Sequence, residues 1–347
     1  MSSPHRSQPP TRTYSTRPAD GGKATTGARA PFSDVRPPAA LRLLSGIWAT
    51  VGGSRTGRRL LKVSGIKPLG RAWLRGSVLK PQRSRPDDVT VLIGVRDRSD
   101  YRIVNALRSL QDQTDLPAPL KVIVVDYGSQ PAGAQALETT CEHHGVAYVR
   151  VEVSGIWSRG RCLNVGLRLV DTKFAMVSDA DIVFSPRYVA DAVEELRKAP
   201  LSAVCSTMLD LPEGTSEALS DAAGAGAPLD LEPFRELCTP RLNRELHSSI
   251  AITHTEFYRA IRGYDEYYEG WSNEDADLMR RFRALGLRPK LLTSSSFYLH
   301  QWHPKFEGLM AQERTCSAER NTAYFRTQRS ILRNRRGWGD PRNARAE

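Results

Sequence analysis

From about residue 88 the sequence alternates short apolar, β-branched runs with stretches of helical spacing, and that alternation restricts the fold more than any other feature. VTVLIGV, ending just before Arg96, and KVIVVD (121–126) are nearly continuous apolar runs bounded by polar residues. Such runs belong to strands covered on both faces, as in parallel sheets. AYVRVEV (147–153), KFAMVSDAD (173–181), SAVCSTM (202–208) and SIAITH (249–254) add further strands. Between them lie helical patterns at Val104–Leu110, 132–144, 160–170, 186–199 and 274–286. Strands alternating with helices predict an α/β fold, a doubly wound, mostly parallel sheet with helices on both faces. Ligands of such sheets sit beyond the carboxyl ends of the strands. Arg96, Asp126 and Asp179 to Asp181 fall there and are the first residues to inspect.

The charge is unevenly placed. The formal net charge is +12, but residues 1–88 hold 17 Lys+Arg against 4 Asp+Glu, and the remainder holds 33 against 34. The basic character therefore belongs to an N-terminal arm. Residues 1–40, rich in Pro, Ser, Thr, Gly and Arg, read as disordered. Residues 41–80 mix Leu, Ile and Trp with Arg and Lys, as short amphipathic helices do, and can touch a membrane surface. No nucleic-acid-binding motif accompanies the charge, so no nucleic-acid partner is expected. Residues 89–325 form the main domain and 326–347 a basic C-terminal tail. The first residues lack the apolar core of a signal peptide, and no apolar run is long enough to span a bilayer. Five cysteines at irregular spacing, without a CxxC pair, suggest neither a disulfide framework nor a zinc site. A cytoplasmic protein is the expectation, its arm either solvated and packed loosely on the main domain or in contact with a membrane surface or another acidic partner. Residues 210–246, rich in Gly, Pro and Ala, read as a flexible loop or insertion near the acceptor side.

Four clusters carry chemistry. Asp179-Ala180-Asp181 ends a hydrophobic strand, and two carboxylates with one spacer can bind a divalent cation that bridges a diphosphate. Such hard oxygen ligands suit Mn²⁺ or Mg²⁺. Gly270-Trp271-Ser272-Asn273-Glu274-Asp275-Ala276-Asp277 places acids at a helix start directly after a Trp. The Trp271 ring can stack on a sugar, and a carboxylate held beside it can take a proton from an attacking hydroxyl. His300 and His303, in HQWHP, can complete a metal site built on carboxylates. Trp157-Ser158-Arg159-Gly160-Arg161 opens a helix with two arginines able to hold phosphate oxygens.

In this order the clusters resemble those of inverting glycosyltransferases with the GT-A fold, families 2 and 7. WSRGRCLNVGL is similar to the segment of the β-1,4-galactosyltransferase group in which an Arg precedes an L-N-V-G helix, and GWSNEDADLMRR resembles that group's G-W-G-x-E-D-x-D-L-x-x-R motif, also shared by bacterial chondroitin-type polymerases. The resemblance covers residues 89–310. It implies a bacterial hexosyl- or N-acetylhexosaminyl-transferase of glycan biosynthesis that uses a nucleotide-sugar donor, a UDP-sugar by the same resemblance, and a glycan or other hydroxyl acceptor. Mn²⁺ is the favoured metal. Residue by residue, the resemblance implies that Arg96 and Asp126 contact the base or ribose, Arg159 the donor, and Asp179 the ribose or sugar side. It makes Asp181 and His303 metal ligands, with His300 where galactosyltransferases carry Met, and Asp275 the general base with Glu274 holding the acceptor. Tyr127 stands where many members have a second Asp, and Ser272-Asn273 replaces the usual Gly pair. A nucleotidyltransferase would need a Gly-rich, basic loop after the first strand, which GVRDRSDYR does not supply. A catalytically degenerate, glycan- or partner-binding member of the same fold is the alternative from another class.

Overall fold

A computed structural model describes residues 11–15, 39–51, 66–222, 228–241, 250–292, 296–304, 308–334 and 337–343. Its strands in chain order are β1 (Arg12–Ser15), β2 (Val89–Val95), β3 (Lys121–Tyr127), β4 (Ala147–Glu152), β5 (Phe174–Asp179), β6 (Ile182–Phe184), β7 (Ser202–Cys205), β8 (Met208–Asp210), β9 (Thr239–Arg241), β10 (Ala251–His254), β11 (Arg288–Leu291) and β12 (Tyr298–His300). Eight of them form one sheet in the order β1-β4-β3-β2-β5-β10-β7-β11. Only β10 runs antiparallel to its neighbours. The doubly wound, mostly parallel sheet expected from the sequence is therefore present.

Alternating side chains of the central strands enter different cores, as the twofold period of a strand requires. Val89, Val91, Ile93 and Val95 of β2 and Phe174 and Met176 of β5 pack with the helices at 101–111, 131–143 and 188–198. Leu92, Ala175 and Val177 face the other way, onto Leu163 and Leu167 of helix Arg159–Leu169 and onto Phe282 and Leu285 of helix Glu274–Leu285. Helix Arg159–Leu169 can lie this close because Gly166 has no side chain: a Cβ there would stand 2.9 Å from the Leu92 side chain and 3.1 Å from that of Val125.

A second sheet, β6-β12-β8-β9, lies beside the first. It draws on the segment read as a flexible loop. β8, helix Thr215–Ala222, helix Glu232–Leu237 and β9 occur there, and Leu211, Leu219, Leu229 and Leu231 join Val183, Phe297 and Leu299 in a separate small core. The sequence concealed these elements because each spans eight residues or fewer, too short to show a period; residues 223–227 and 242–249 lie outside the described ones.

At the chain ends, β1 pairs in parallel with β4, and helices Ala39–Val51 and Ile66–Trp73 occupy part of the basic arm. The rest of residues 1–40, for which disorder was expected, lies outside the described residues. Ser45 accepts from the backbone N–H groups of Ile331 and Leu332 at 3.1 Å each, which ties the first helix to the C-terminal segment. Helix Gly308–Thr327 runs across residue 325, and the segment after it packs back on the domain: Ile331 is buried, and Asn334 donates to the Arg262 carbonyl. No helix among the described residues is long and apolar enough to cross a membrane.

Candidate active site

Register in the small sheet gathers the side chains of one cluster. The turn after β5 leads through Asp181 directly into β6. β6 pairs antiparallel with β12, setting Ile182 opposite His300, and the Gln301 N–H donates to the Asp181 carbonyl at 2.9 Å. The Asp181 Oδ2 atom then lies 4.0 Å from His300 Nε2 and 3.8 Å from His303 Nε2. One carboxylate oxygen and two imidazole nitrogens, all within 4.8 Å of one another, make a donor set that fits a divalent transition-type cation. Burial pushes the His303 imidazole below its ordinary range, which favours the neutral form that a metal needs. β12 also pairs in parallel with β8, placing Asp210 beside His300, and the Asp210 carboxylate contacts His300 Nδ1 at 2.9 Å.

A second cluster joins the first sheet to the acidic helix. Ser158 caps helix Arg159–Leu169, accepting from the Arg161 N–H and donating to the Tyr268 carbonyl. That cap aims the Arg159 guanidinium across the cleft, where it forks. Nε donates to Asp179 at 2.6 Å and Nη1 to Asp275 at 2.8 Å. The DxD end of β5 and the start of helix Glu274–Leu285 thus share one cation. Burial raises the Asp275 carboxyl above its usual range against the opposing pull of Arg159. Burial, then the charge of Asp275, pushes Glu274 up to about 7. Glu274 Oε2 is buried and has no hydrogen-bond partner among the described residues.

The turn before this helix is wound left-handed at three positions: Gly270 at φ 70°, Ser272 at 88° and Asn273 at 75°. Side chains strain such backbone, Asn least, which explains why a Gly pair is the usual choice. The strain is held in place from outside. The Gly270 N–H donates to the Trp157 carbonyl at 2.7 Å, the Trp271 N–H to Ser317 Oγ at 3.1 Å, and the Asn273 amide to Thr322 Oγ1 at 2.9 Å. Backbone strain over-determined by its surroundings is a recurrent feature of functional turns. Trp271 itself is 49% exposed, and the Arg314 guanidinium lies 3.7 Å from its ring centre. Together with Thr315, Glu319, Thr322 and Arg326 it lines a groove of about 620 Å³ along helix Gly308–Thr327.

Two residues expected at the nucleotide are placed differently from each other. Arg96 sits at the strand ends, donating to the Gly155 carbonyl at 2.7 Å. Asp126 is fully buried: Oδ2 accepts from the Tyr148 hydroxyl at 2.7 Å and Oδ1 from the Ser129 N–H at 3.0 Å. Both oxygens are engaged inside, where they hold the loop after β3. Sequence reasoning missed Arg98, whose Nη1 donates to Asp181 Oδ2 at 3.1 Å, although the Arg-Asp-Arg triplet after β2 was a signal. It also missed Asp210, which nothing local marks. Asp277, the third acid of the motif, does not join the site. It is buried, and although burial raises its pKa, the charges of Arg281, Arg333 and Arg280 hold it below the usual range. Arg281 in turn donates to the Gly263 carbonyl at 2.8 Å, so this part of the motif is structural.

Residues 90–309 match a family model described as glycosyltransferase like family 2. Among solved structures, S. aureus TarS 1–349 in complex with UDP aligns with a TM-score of 0.46 at 19% identity, over 62% of this chain and 61% of that chain. The mannosyltransferase PcManGT from Pyrobaculum calidifontis, in complex with GDP-Man and Mn²⁺, aligns with a TM-score of 0.48 at 18% identity, over 83% of this chain and 77% of that one. The chain spans about three fifths of the TarS chain that it matches. No curated protein matches it.

Proposed function

Because the chain belongs to the glycosyltransferase like family 2, we propose that it moves a sugar from a nucleoside-diphosphate donor to an acceptor hydroxyl with inversion, in the cleft beyond β2, β3 and β5. The observation that carries this reading is the Arg159 fork, which sets Asp179, at the end of β5, and Asp275 on one guanidinium at 2.6 and 2.8 Å. A donor-side carboxylate and a candidate base are thereby held at fixed separation, and fixed geometry supplies much of the rate in group transfer.

In this reading Asp275 accepts the proton of the acceptor hydroxyl. That oxygen attacks the anomeric carbon from the face opposite the diphosphate, so an α-linked donor gives a β-linked product. Burial makes Asp275 a stronger base than a free carboxylate, and Arg159, 2.8 Å away, opposes that shift. Glu274, whose pKa is pushed up to about 7, keeps a protonated fraction at neutral pH that can donate a hydrogen bond to an acceptor oxygen, and Trp271 offers a sugar-stacking face. Arg98 and Arg159 place positive charge along the path of the departing diphosphate. Asp181, His300 and His303 would hold the cation, which would offset charge on the leaving diphosphate; two nitrogen ligands favour Mn²⁺ over Mg²⁺. Arg96 and the loop held by Asp126 flank the position for the nucleoside, a uridine by the motif resemblance.

Asp275→Asn tests the assignment. Transfer from UDP-sugars falls by about 10²-fold or more, the usual scale for loss of a general base, while Mn²⁺-dependent UDP affinity is unchanged. Turnover within a few-fold of wild type removes Asp275 from the role.

A further inference from the structure

The two histidines of the cluster present the same ring nitrogen. His303 directs Nδ1 to the Pro304 carbonyl at 3.1 Å, and His300 directs Nδ1 to the Asp210 carboxylate at 2.9 Å. Neither a carbonyl nor a carboxylate can donate, so each Nδ1 carries the proton and each Nε2 keeps its lone pair. Both Nε2 atoms then face the same oxygen, Asp181 Oδ2. The two rings are nevertheless held by anchors of different strength. The anchor of His303 is its neighbour's backbone, which comes with the chain. The anchor of His300 is a side chain 90 residues away, delivered by the β8–β12 register that pairs Asp210 with His300. A backbone acceptor cannot be lost by substitution, whereas a carboxylate can.

Resting on the metal reading proposed above, we infer that Asp210 is a positioning residue that converts His300 into a second nitrogen ligand. The carboxylate fixes the tautomer and ring orientation and raises the basicity of Nε2, the behaviour of carboxylate–histidine–metal arrangements. The cluster without it offers one oxygen and one oriented nitrogen, and with it one oxygen and two. The second nitrogen also bears on Mn²⁺ against Mg²⁺: both take oxygen ligands, but Mn²⁺ belongs to the first-row series that accepts nitrogen donors, whereas Mg²⁺ keeps oxygen and water ligands. Asp210 therefore sets metal selectivity as well as affinity. The small sheet acquires a purpose from this: β8 supplies Asp210, β12 supplies His300, and Asp181 stands just before β6.

The test is a Mn²⁺ titration of the full-length protein, followed by the electron paramagnetic resonance signal of the free ion, with no turnover required. Asp210→Ala weakens Mn²⁺ binding by about 10–100-fold, the usual effect of losing such a partner. Asp210→Asn, whose amide oxygen still accepts from Nδ1, loses less, and its folded state is the safer comparison if the Ala variant is unstable. The deciding readout is the double variant. If Asp210 acts through His300, then Asp210→Ala added to His300→Ala costs no further affinity, and either change narrows the preference for Mn²⁺ over Mg²⁺. Unaltered Mn²⁺ affinity in both Asp210 variants, or a double variant in which the two losses multiply, overturns the inference while leaving the metal site in place. Wild-type protein that binds no Mn²⁺ overturns the metal reading itself and the inference with it.

Discussion

Glu274 makes the stability of this protein depend on pH in a direction opposite to that of an ordinary surface carboxylate. Its folded-state pKa is raised from 4.5 to about 7, by burial first and by the Asp275 charge second. Below the unfolded value both states are protonated, and the protonated group sits in the fold without penalty. Between the two values the unfolded chain ionises and the folded one does not, so stability falls as pH rises. The loss is complete once pH exceeds the folded pKa. A shift of this size, at 1.36 kcal/mol per unit, amounts to about 3 kcal/mol between pH 4.5 and 8. Urea denaturation at pH 5, 6, 7 and 8, for wild type and Glu274→Gln, measures it. The difference between the two proteins cancels the histidines and the distant buried carboxyls, which both share, and leaves Glu274 together with its effect on Asp275. The variant gains on wild type as pH rises, by about 2–3 kcal/mol at pH 8 relative to pH 5. Equal pH slopes in the two proteins would refute the reasoning, and with it the protonated, hydrogen-bond-donating role given to Glu274 at the acceptor.

Two other substitutions separate structure from chemistry within the same motif. Asp277→Ala strips a buried carboxylate from Arg280, Arg281 and Arg333 and costs about 3–5 kcal/mol in denaturant unfolding; a loss below 1 kcal/mol would show that the arginines find other partners. Ser272→Gly relieves a side chain at φ 88° and stabilises by up to about 1 kcal/mol after the added chain entropy of glycine; a loss of stability would mean that the serine side chain contributes more than its backbone costs.

Much of the fold was legible because period and length agreed. VTVLIGV and KVIVVD are long, apolar and covered on both faces, so their strands β2 and β3 could be read directly. The DxD, the acidic helix and the two histidines were visible as local patterns. What local pattern could not show was pairing at long range. Arg159 was read as a donor contact, yet in the structure it spans 116 residues to reach Asp275. Asp210 sits in a three-residue strand with no signature, and only the register with β12 brings it to His300. Asp126, at a strand end where ligands collect, turns inward because Tyr148 from the neighbouring strand offers a hydroxyl. The sequence positions of acids thus predicted where carboxylates gather, but not which of them face the cleft.

The central claim is that a cation held by Asp181, His300 and His303 makes a nucleoside-diphosphate site. A thermal-shift panel of UDP, GDP, dTDP and CMP on the full-length protein, with and without Mn²⁺, and repeated on Asp181→Ala, tests it most directly. The account predicts that UDP raises the Tm of the wild type only when Mn²⁺ is present and that Asp181→Ala loses the response. No shift with any nucleotide, or a UDP shift indifferent to both Mn²⁺ and Asp181, would contradict it.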